Sequence, residues 1–143
     1  MASFINDFCS AVATKLSAIG LSPTIALFAN YDATRESGLK LTVCPAANYA
    51  KRAGRGLLED HAHIAVVVQK RVDYPTLEAC EDALNLARTI ALALADCNVT
   101  VDGLNYIVAD VENTELFDER QLEEGNVFSN TLTIEYVGIG QNG

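Results

Sequence analysis

Two strand patterns on either side of a long polar segment constrain the fold of this chain more than any other feature. Residues 38–45, GLKLTVCP, alternate in polarity, and residues 64–71, IAVVVQKR, are apolar at their centre, so both predict strands of a sheet. A typical connection has about 4–6 residues. The longer segment here predicts an extended loop at about residues 45–62 that acts as a binding arm. Its basic residues are Lys51, Arg52 and Arg55.

Length and composition favour one folded domain. The chain has 143 residues, of which 50% are hydrophobic and 20% charged, so we expect a single domain covering residues 1–143. No apolar run approaches the roughly 18 residues of a membrane span, and the N-terminal residues lack the basic start of a signal peptide. The four cysteines are scattered through apolar segments, which predicts buried free thiols and synthesis in a reducing cytoplasm.

The negative charge is concentrated in the last third of the chain. Residues 1–100 contain ten acidic and nine basic residues, whereas residues 101–143 contain nine acidic residues and one basic residue, Arg120. Lys and Arg supply most non-specific affinity for nucleic acid, so this charge disfavours tight binding to it. The acidic residues of segment 110–124 are interpreted either as a solvated loop or as a surface that repels a polyanion or contacts a basic partner.

Hydrophobic periodicity predicts two helices. The first covers residues 3–19, where apolar side chains recur at helical spacing, and it ends at Gly20. The second begins after Pro75-Thr76 and continues to about Leu94, with acidic residues near its start.

The remaining segments predict strands. Residues 24–31 are rich in β-branched and aromatic residues, and the polar turn at residues 32–38 would join them in a hairpin to the strand that follows. Two more strands are expected, at residues 104–111 and 126–140. This order of elements predicts an α+β fold with a mostly antiparallel sheet of about four to five strands and two main helices packed on one side.

Candidate chemistry is sparse. His61 and His63 would share a face of a strand and could contribute to a metal site, but no third ligand lies at a suitable local spacing. Cys44 has no histidine near it in sequence. Residues 54–56, Gly-Arg-Gly, lack the spacing of a phosphate-binding loop. We therefore expect no catalytic residues, no cofactor, no metal and no enzyme activity.

The chain resembles the tail-terminator, tail-completion or neck proteins of tailed bacteriophages. The resemblance is carried by LKLTVCP, the loop with Arg55-Gly56, LLEDHAHIAVVVQKR, the following helix and the closing VFSNTLTIEYVG. It implies a small α+β subunit of a ring, commonly a hexamer, that caps the tail tube and joins it to the head–tail connector. The implied location is the virion tail or neck, after synthesis in the cytoplasm of the bacterial host.

The resemblance implies several partners and suggests an interface. The partners would be further copies of the chain, the tail tube protein, the connector or adaptor protein and, as a further candidate, the tail sheath, while DNA passes through without specific binding. A ring needs two different complementary surfaces on each subunit. The predicted pair is the basic arm and an acidic surface comprising Glu112, Glu115, Asp118, Glu119, Glu123 and Glu124.

Two other classes of function remain open. A small-ligand or regulatory binding domain of a soluble cytosolic protein would have a defined apolar pocket and a low-order oligomeric state. An enzyme would have a cleft around Cys44 or His63 in which ionisation is perturbed.

Overall fold

The computed structural model describes residues 4–31 and 38–141. The described residues form three helices and six strands. In chain order these are α1 (Phe4–Ser17), β1 (Thr24–Ile25), β2 (Leu39–Gly54), β3 (Leu57–Arg71), α2 (Leu77–Leu94), β4 (Val99–Val101), β5 (Leu104–Glu115), α3 (Glu119–Gly125) and β6 (Val127–Gln141).

All six strands belong to one sheet, in the order β1-β2-β3-β6-β5-β4, which curls into a half-barrel. β1 and β2 are parallel, and every other neighbouring pair is antiparallel. The predicted sheet of four to five mostly antiparallel strands with two main helices is therefore wrong: the sheet is mixed, has six strands and is accompanied by three helices. β1 and β4 contain only two and three residues, which is too short for a periodic pattern to identify.

The extended loop predicted at about residues 45–62 is replaced by strand. β2 and β3 pair along their whole length, down to Gly54 opposite Leu57, and a two-residue turn joins them. Gly56 in this turn has a φ of 74°, which glycine adopts without a steric penalty. Both faces of this half of the hairpin carry polar side chains, so the alternation that identifies a half-buried strand is missing.

The hairpin predicted between residues 24–31 and the next strand is also wrong. β1 consists of Thr24 and Ile25 and runs parallel to β2, with Thr24 opposite Thr42. The chain then leaves the sheet edge and crosses one face of the sheet, where Ala29 packs against a small buried cluster of Cys44, Ala65 and Val67. Most of the turn predicted at residues 32–38 lies outside the described residues.

The hydrophobic core lies between the sheet and the helices α1 and α2. We call the sheet face toward these helices the inner face and the opposite one the outer face. The inner face of β3 and β6 supplies buried aliphatic side chains, each of which stabilises the fold by about 1.5–3 kcal/mol. Phe8 of α1 is fully buried, and its ring centroid lies 4.9 Å from that of Tyr106 and 5.1 Å from that of Tyr136.

The two predicted helices are present. α1 ends before Gly20, whose φ of 92° stops the helix, and Leu21 N–H donates to the Leu16 carbonyl. α2 begins after Thr76, whose side-chain oxygen accepts a hydrogen bond of 3.1 Å from Ala79 N–H. Within the described ranges, none of the helices combines the length and the apolar character that crossing a membrane would require.

Candidate functional site

The distal half of the β2–β3 hairpin, residues 46–62, carries the predicted basic cluster, and we call it the arm. Lys51 lies on the outer face opposite Glu59, Arg52 lies on the inner face opposite Leu58, and Arg55 occupies the turn. All three basic side chains are exposed. No ion pair between described residues involves them. The arm therefore offers three cations to a partner.

Two histidines and two glutamates form a cluster on the outer face of the arm. His61 Nε2 lies 2.9 Å from Glu59 Oε1, and His61 Nδ1 lies 3.6 Å from Glu135 Oε2. His63 Nε2 lies 3.0 Å from the same Glu135 oxygen. The Tyr49 ring stacks on the His61 ring, with centroids 4.7 Å apart and an interplanar angle of 8°. These contacts connect β2, β3 and β6.

His61 and His63 share a face, as the sequence predicts for two residues in a strand. The sequence did not reveal Glu135, because the β3–β6 register that places it opposite His63 joins residues far apart in the chain. Alternation in residues 131–136 does place Glu135 on the face opposite to the core, which was the available signal. In the part of the chain that the structure describes, no group of three or more His, Cys, Asp or Glu side chains is arranged to hold a metal ion.

A second set of contacts lies on the inner face of the arm. The buried Tyr106 hydroxyl of β5 donates a hydrogen bond of 2.5 Å to Asp60 Oδ2, and Asn48 Nδ2 donates to Asp60 Oδ1 at 2.8 Å. Burial and the bond to Asp60 raise the pKa of Tyr106, which keeps its hydroxyl protonated as a donor. Gly138 provides the space for this ring, since a Cβ there would lie 2.8 Å from Tyr106 Cε2.

The predicted acidic residues are not in one loop. Glu112 is exposed on the outer face of β5, and only the backbone of Glu115 is described. Asp118 caps α3 by accepting a hydrogen bond of 3.1 Å from Gln121 N–H. The remaining members are exposed on α3: Glu119, Glu123 and Glu124.

The arm tip and α3 lie at opposite ends of the sheet. Leu57 pairs with Gln141 at the tip, whereas Arg71 pairs with Val127, the residue that follows α3 and Asn126, at the other end. β3 has 15 residues, so the two ends are about 45 Å apart at roughly 3.3 Å per residue. This separation prevents Arg55 from neutralising the α3 carboxylates of its own chain.

All four cysteines are free in the structure. Cys9, Cys44 and Cys80 are buried, and Cys97 is half-buried. Burial and the neighbouring Cys44 raise the pKa of the Cys9 thiol to about 11, and burial likewise raises the pKa of Cys44. Because the thiolate is the nucleophilic form, the environment of Cys44 opposes the role in catalysis that an enzyme would require of it.

The described surface also has open grooves. One groove, of about 430 Å³, lies between α2 and β5, and Leu84, Ala91, Val111 and Asn113 contribute to its walls. Another, of about 360 Å³, runs between the end of β3 and the start of α2, where Val72 and Tyr74 line it. Neither groove contains Cys44 or His63, the residues that an active site in this chain would be expected to use.

Comparison with known proteins identifies a shared fold. No protein-family model matches the chain, and no curated protein matches it. Among solved structures, it matches a chain of the virion of a native gene transfer agent (GTA) particle, with a TM-score of 0.57 and 14% sequence identity. The match covers 98% of this chain and 100% of that chain. The chain thus has, over nearly its whole length, the fold of a chain from a virion particle.

Proposed function

We propose that the chain is a structural protein of a phage-like virion. The observation that carries this proposal is the fold shared with a chain of a gene transfer agent virion over 98% and 100% of the two chains. An inserted or truncated module would leave part of one chain unmatched, so coverage of both chains favours a component of similar size and architecture. The arm and its uncompensated cations suit a protein whose work is to contact other proteins.

Within the virion, the finer proposal is a ring-forming tail terminator or neck component. The ring would cap the tail tube and join it to the head–tail connector, with DNA passing through its lumen. The sequence resemblance to tail-terminator proteins supports this role. So do two surfaces of opposite charge, at the arm and on α3, that are too far apart to meet within one molecule. A heterologous contact of this kind closes into a ring under cyclic symmetry.

The proposed ring assigns each charged surface a task. The arm docks on a neighbouring subunit or on the adjoining tail or connector ring. The carboxylates of α3 either receive such an arm or face the lumen, where negative charge keeps passing DNA from adhering. In both cases the exposed acidic side chains act through electrostatics, at a range of about 8–10 Å in physiological salt.

The virion role is tested in particles from the source of the chain. Mass spectrometry of purified particles is expected to detect the protein at a fixed stoichiometry. Deletion of its gene is expected to give heads and tails that do not join, or tails of irregular length, in electron micrographs, and complementation restores whole particles. Purified particles that lack the protein would contradict the virion role. Normal particles after deletion would contradict the terminator role.

Ring formation is tested with charge reversal at the arm. The double variant Arg52→Glu with Arg55→Glu is expected to abolish or strongly reduce assembly, measured by sedimentation and negative-stain imaging. Lys15→Glu changes an exposed lysine of α1 and is the control, which should assemble as the parent does. Unchanged assembly of the double variant would remove the arm from the interface.

A further inference from the structure

The sheet has two open edges. β1 covers β2 only at Thr42 and Val43, so residues 46–54 of β2 have β3 on one side and no described strand on the other. At the far side, β4 covers β5 only from Leu104 to Tyr106, which leaves one side of residues 107–115 open. No other backbone hydrogen bond between described residues reaches either stretch. Open edges of this length present rows of unpaired N–H and C=O groups to another chain.

The two open edges carry opposite charges on the same face of the sheet. On the β2 edge, Lys51 is exposed on the outer face, and Arg52 beside it is exposed on the inner face. On the β5 edge, Asp110 and Glu112 are exposed, and their pairing with Glu135 and Thr133 places them on the outer face as well. When strands join edge to edge, each sheet face continues into the next. Lys51 of one copy would therefore meet Asp110 and Glu112 of the other.

These charges also determine which edges can join. Pairing of two β2 edges would bring Lys51 and Arg52 of one copy close to Lys51 and Arg52 of the other. Pairing of two β5 edges would bring carboxylates close to carboxylates. Like charges opposite each other destabilise a strand pair, so both arrangements are unfavourable. Only a β2 edge against a β5 edge brings together opposite charges. The contact is thus heterologous, as a ring requires.

The directions of β2 and β5, and the offset between their open parts, are compatible with a closed ring. β2 and β5 run in opposite directions within one copy, so copies related by rotation about an axis along the sheet would pair these edges antiparallel. The open part of β5 is centred about four residues further from the arm tip than the open part of β2. At about 3.3 Å per residue and 4.8 Å per strand, this offset across four strands gives a tilt of roughly 35°. Closed barrels have strand tilts of about 35–45°.

The groove between α2 and β5 leaves room on the inner face for a β2 strand from another copy. It lies beside the open edge, since Val111 and Asn113 of β5 form one wall and Leu84 and Ala91 of α2 form the other. If β2 of another copy pairs with this edge, the inner-face residues that lie opposite Asn113 and Val111 are Asn48 and Ala50, whose side chains are small. A groove of about 430 Å³ leaves space for small side chains beside the β5 edge.

From these observations we propose that residues 46–54 of β2 in one copy pair antiparallel with residues 107–115 of β5 in the next copy, forming a continuous sheet around the assembly. The inference rests on the proposed ring and specifies how its subunits are joined: the arm docks on β5 of the neighbouring copy, so the α3 carboxylates do not receive it within the ring. Main-chain hydrogen bonds between the two strands supply the affinity of one copy for the next. The pairing of Lys51 with Asp110 and Glu112 makes a β2 edge bind a β5 edge rather than another β2 edge.

A mixing experiment with two variants tests this inference. One variant has an acidic β2 edge, Lys51→Glu with Arg52→Glu, and the other has a basic β5 edge, Asp110→Lys with Glu112→Lys. Each variant alone pairs like charges and is expected to remain monomeric in light scattering. The 1:1 mixture restores opposite charges at every contact, so it is expected to form a ring of the parent's mass with the two variants alternating. Circular dichroism of each variant checks that it is folded.

The outcomes separate this inference from the proposed function. A parent that assembles while the mixture does not, or variants that assemble alone like the parent, would overturn the edge pairing and leave the ring standing. A parent that stays monomeric at all concentrations would overturn both the ring and the edge pairing. Assembly of the mixture, combined with absence of the protein from particles, would support the edge pairing and contradict the virion role.

Discussion

The two halves of β3 show how one strand serves two purposes. Between Ile64 and Val68 every residue is buried, because α1 and α2 cover the inner face and the segment around Ala29 covers the outer face. We call this half of the sheet the body. From Leu57 to His61 no residue is buried, and the chain remains a strand through its pairing with β2 and β6. The body therefore supplies stability, and the arm presents side chains that can contact a partner.

The largest expected effect comes from removing a body side chain. Phe8→Ala deletes a fully buried ring that contacts Tyr106 and Tyr136, and it should lower the free energy of unfolding by about 3–5 kcal/mol. Phe28→Ala is the matched control, because Phe28 is 68% exposed, and it should change the free energy by less than about 0.5 kcal/mol. Denaturant titration measures both. Equal losses of unfolding free energy in the two variants would contradict the conclusion that the buried body supplies the stability.

A smaller loss is expected where the strand next to the arm packs against Tyr106. Gly138→Ala places a methyl group 2.8 Å from the Tyr106 ring, and this overpacking should cost about 1–3 kcal/mol. Gly125→Ala serves as the comparison, because a Cβ at Gly125 in α3 has no neighbour within 4 Å. It should be neutral or slightly stabilising. Thermal unfolding of both variants provides the measurement, and a neutral Gly138→Ala would show that the ring is not held tightly there.

The stability of the body should also depend modestly on pH. Lys70 donates hydrogen bonds of 2.8 and 3.0 Å to the Asp82 carboxylate and holds the pKa of Asp82 below its ordinary value. This pair stabilises the fold above the unfolded pKa of about 3.9, and the contribution is lost as the pH falls through the lower folded value.

Asp82→Asn should therefore destabilise the protein at pH 7. Because the Asp82 side chain is 56% exposed, the loss should stay below about 1 kcal/mol, and it should diminish in acid. Urea midpoints at pH 7 and pH 3 measure the difference, with Glu81→Gln at the exposed neighbouring position as control. A loss that is the same at both values would assign the effect to something other than ionisation.

The smallest effect on stability is expected at the arm itself. Arg52→Glu with Arg55→Glu alters exposed side chains that make no described ion pair, so the unfolding free energy of the monomer should change by less than about 0.5 kcal/mol. The same double variant is expected to lose assembly. Unfolding of the dilute protein provides the test, and a loss above about 1 kcal/mol would mean that these arginines support the fold.

The sequence predicts local structure better than long-range pairing. α2 was located correctly because its periodic apolar residues and the Thr76 cap lie within one short segment. The parallel pairing of β1, the conversion of the arm to strand and the position of Glu135 all depend on registers between distant residues. In the arm, polar residues on both faces conceal the strand period, so its length suggested a loop.

The candidate site shows the same division. The sequence located the basic cluster of Lys51, Arg52 and Arg55, and the structure places all three on the exposed arm. It treated the acidic residues as one segment, whereas Asp118 begins a new helix and Glu112 belongs to β5. Their role as an interface stays a prediction, because charge patterns in the sequence do not specify which surfaces meet.

Amide hydrogen exchange during assembly reports directly on whether β2 of one copy pairs with β5 of the next. Peptides covering residues 46–54 and 107–115 should gain protection when the protein assembles, because their open edges become hydrogen bonded. Residues 131–138 of β6 are already paired with β3 and β5 on both sides within one copy, so the peptide covering them should exchange equally in monomer and assembly. The variant Lys51→Glu with Arg52→Glu provides the monomer reference. Assembly that leaves exchange unchanged at both edges would contradict the pairing of β2 with β5 between copies.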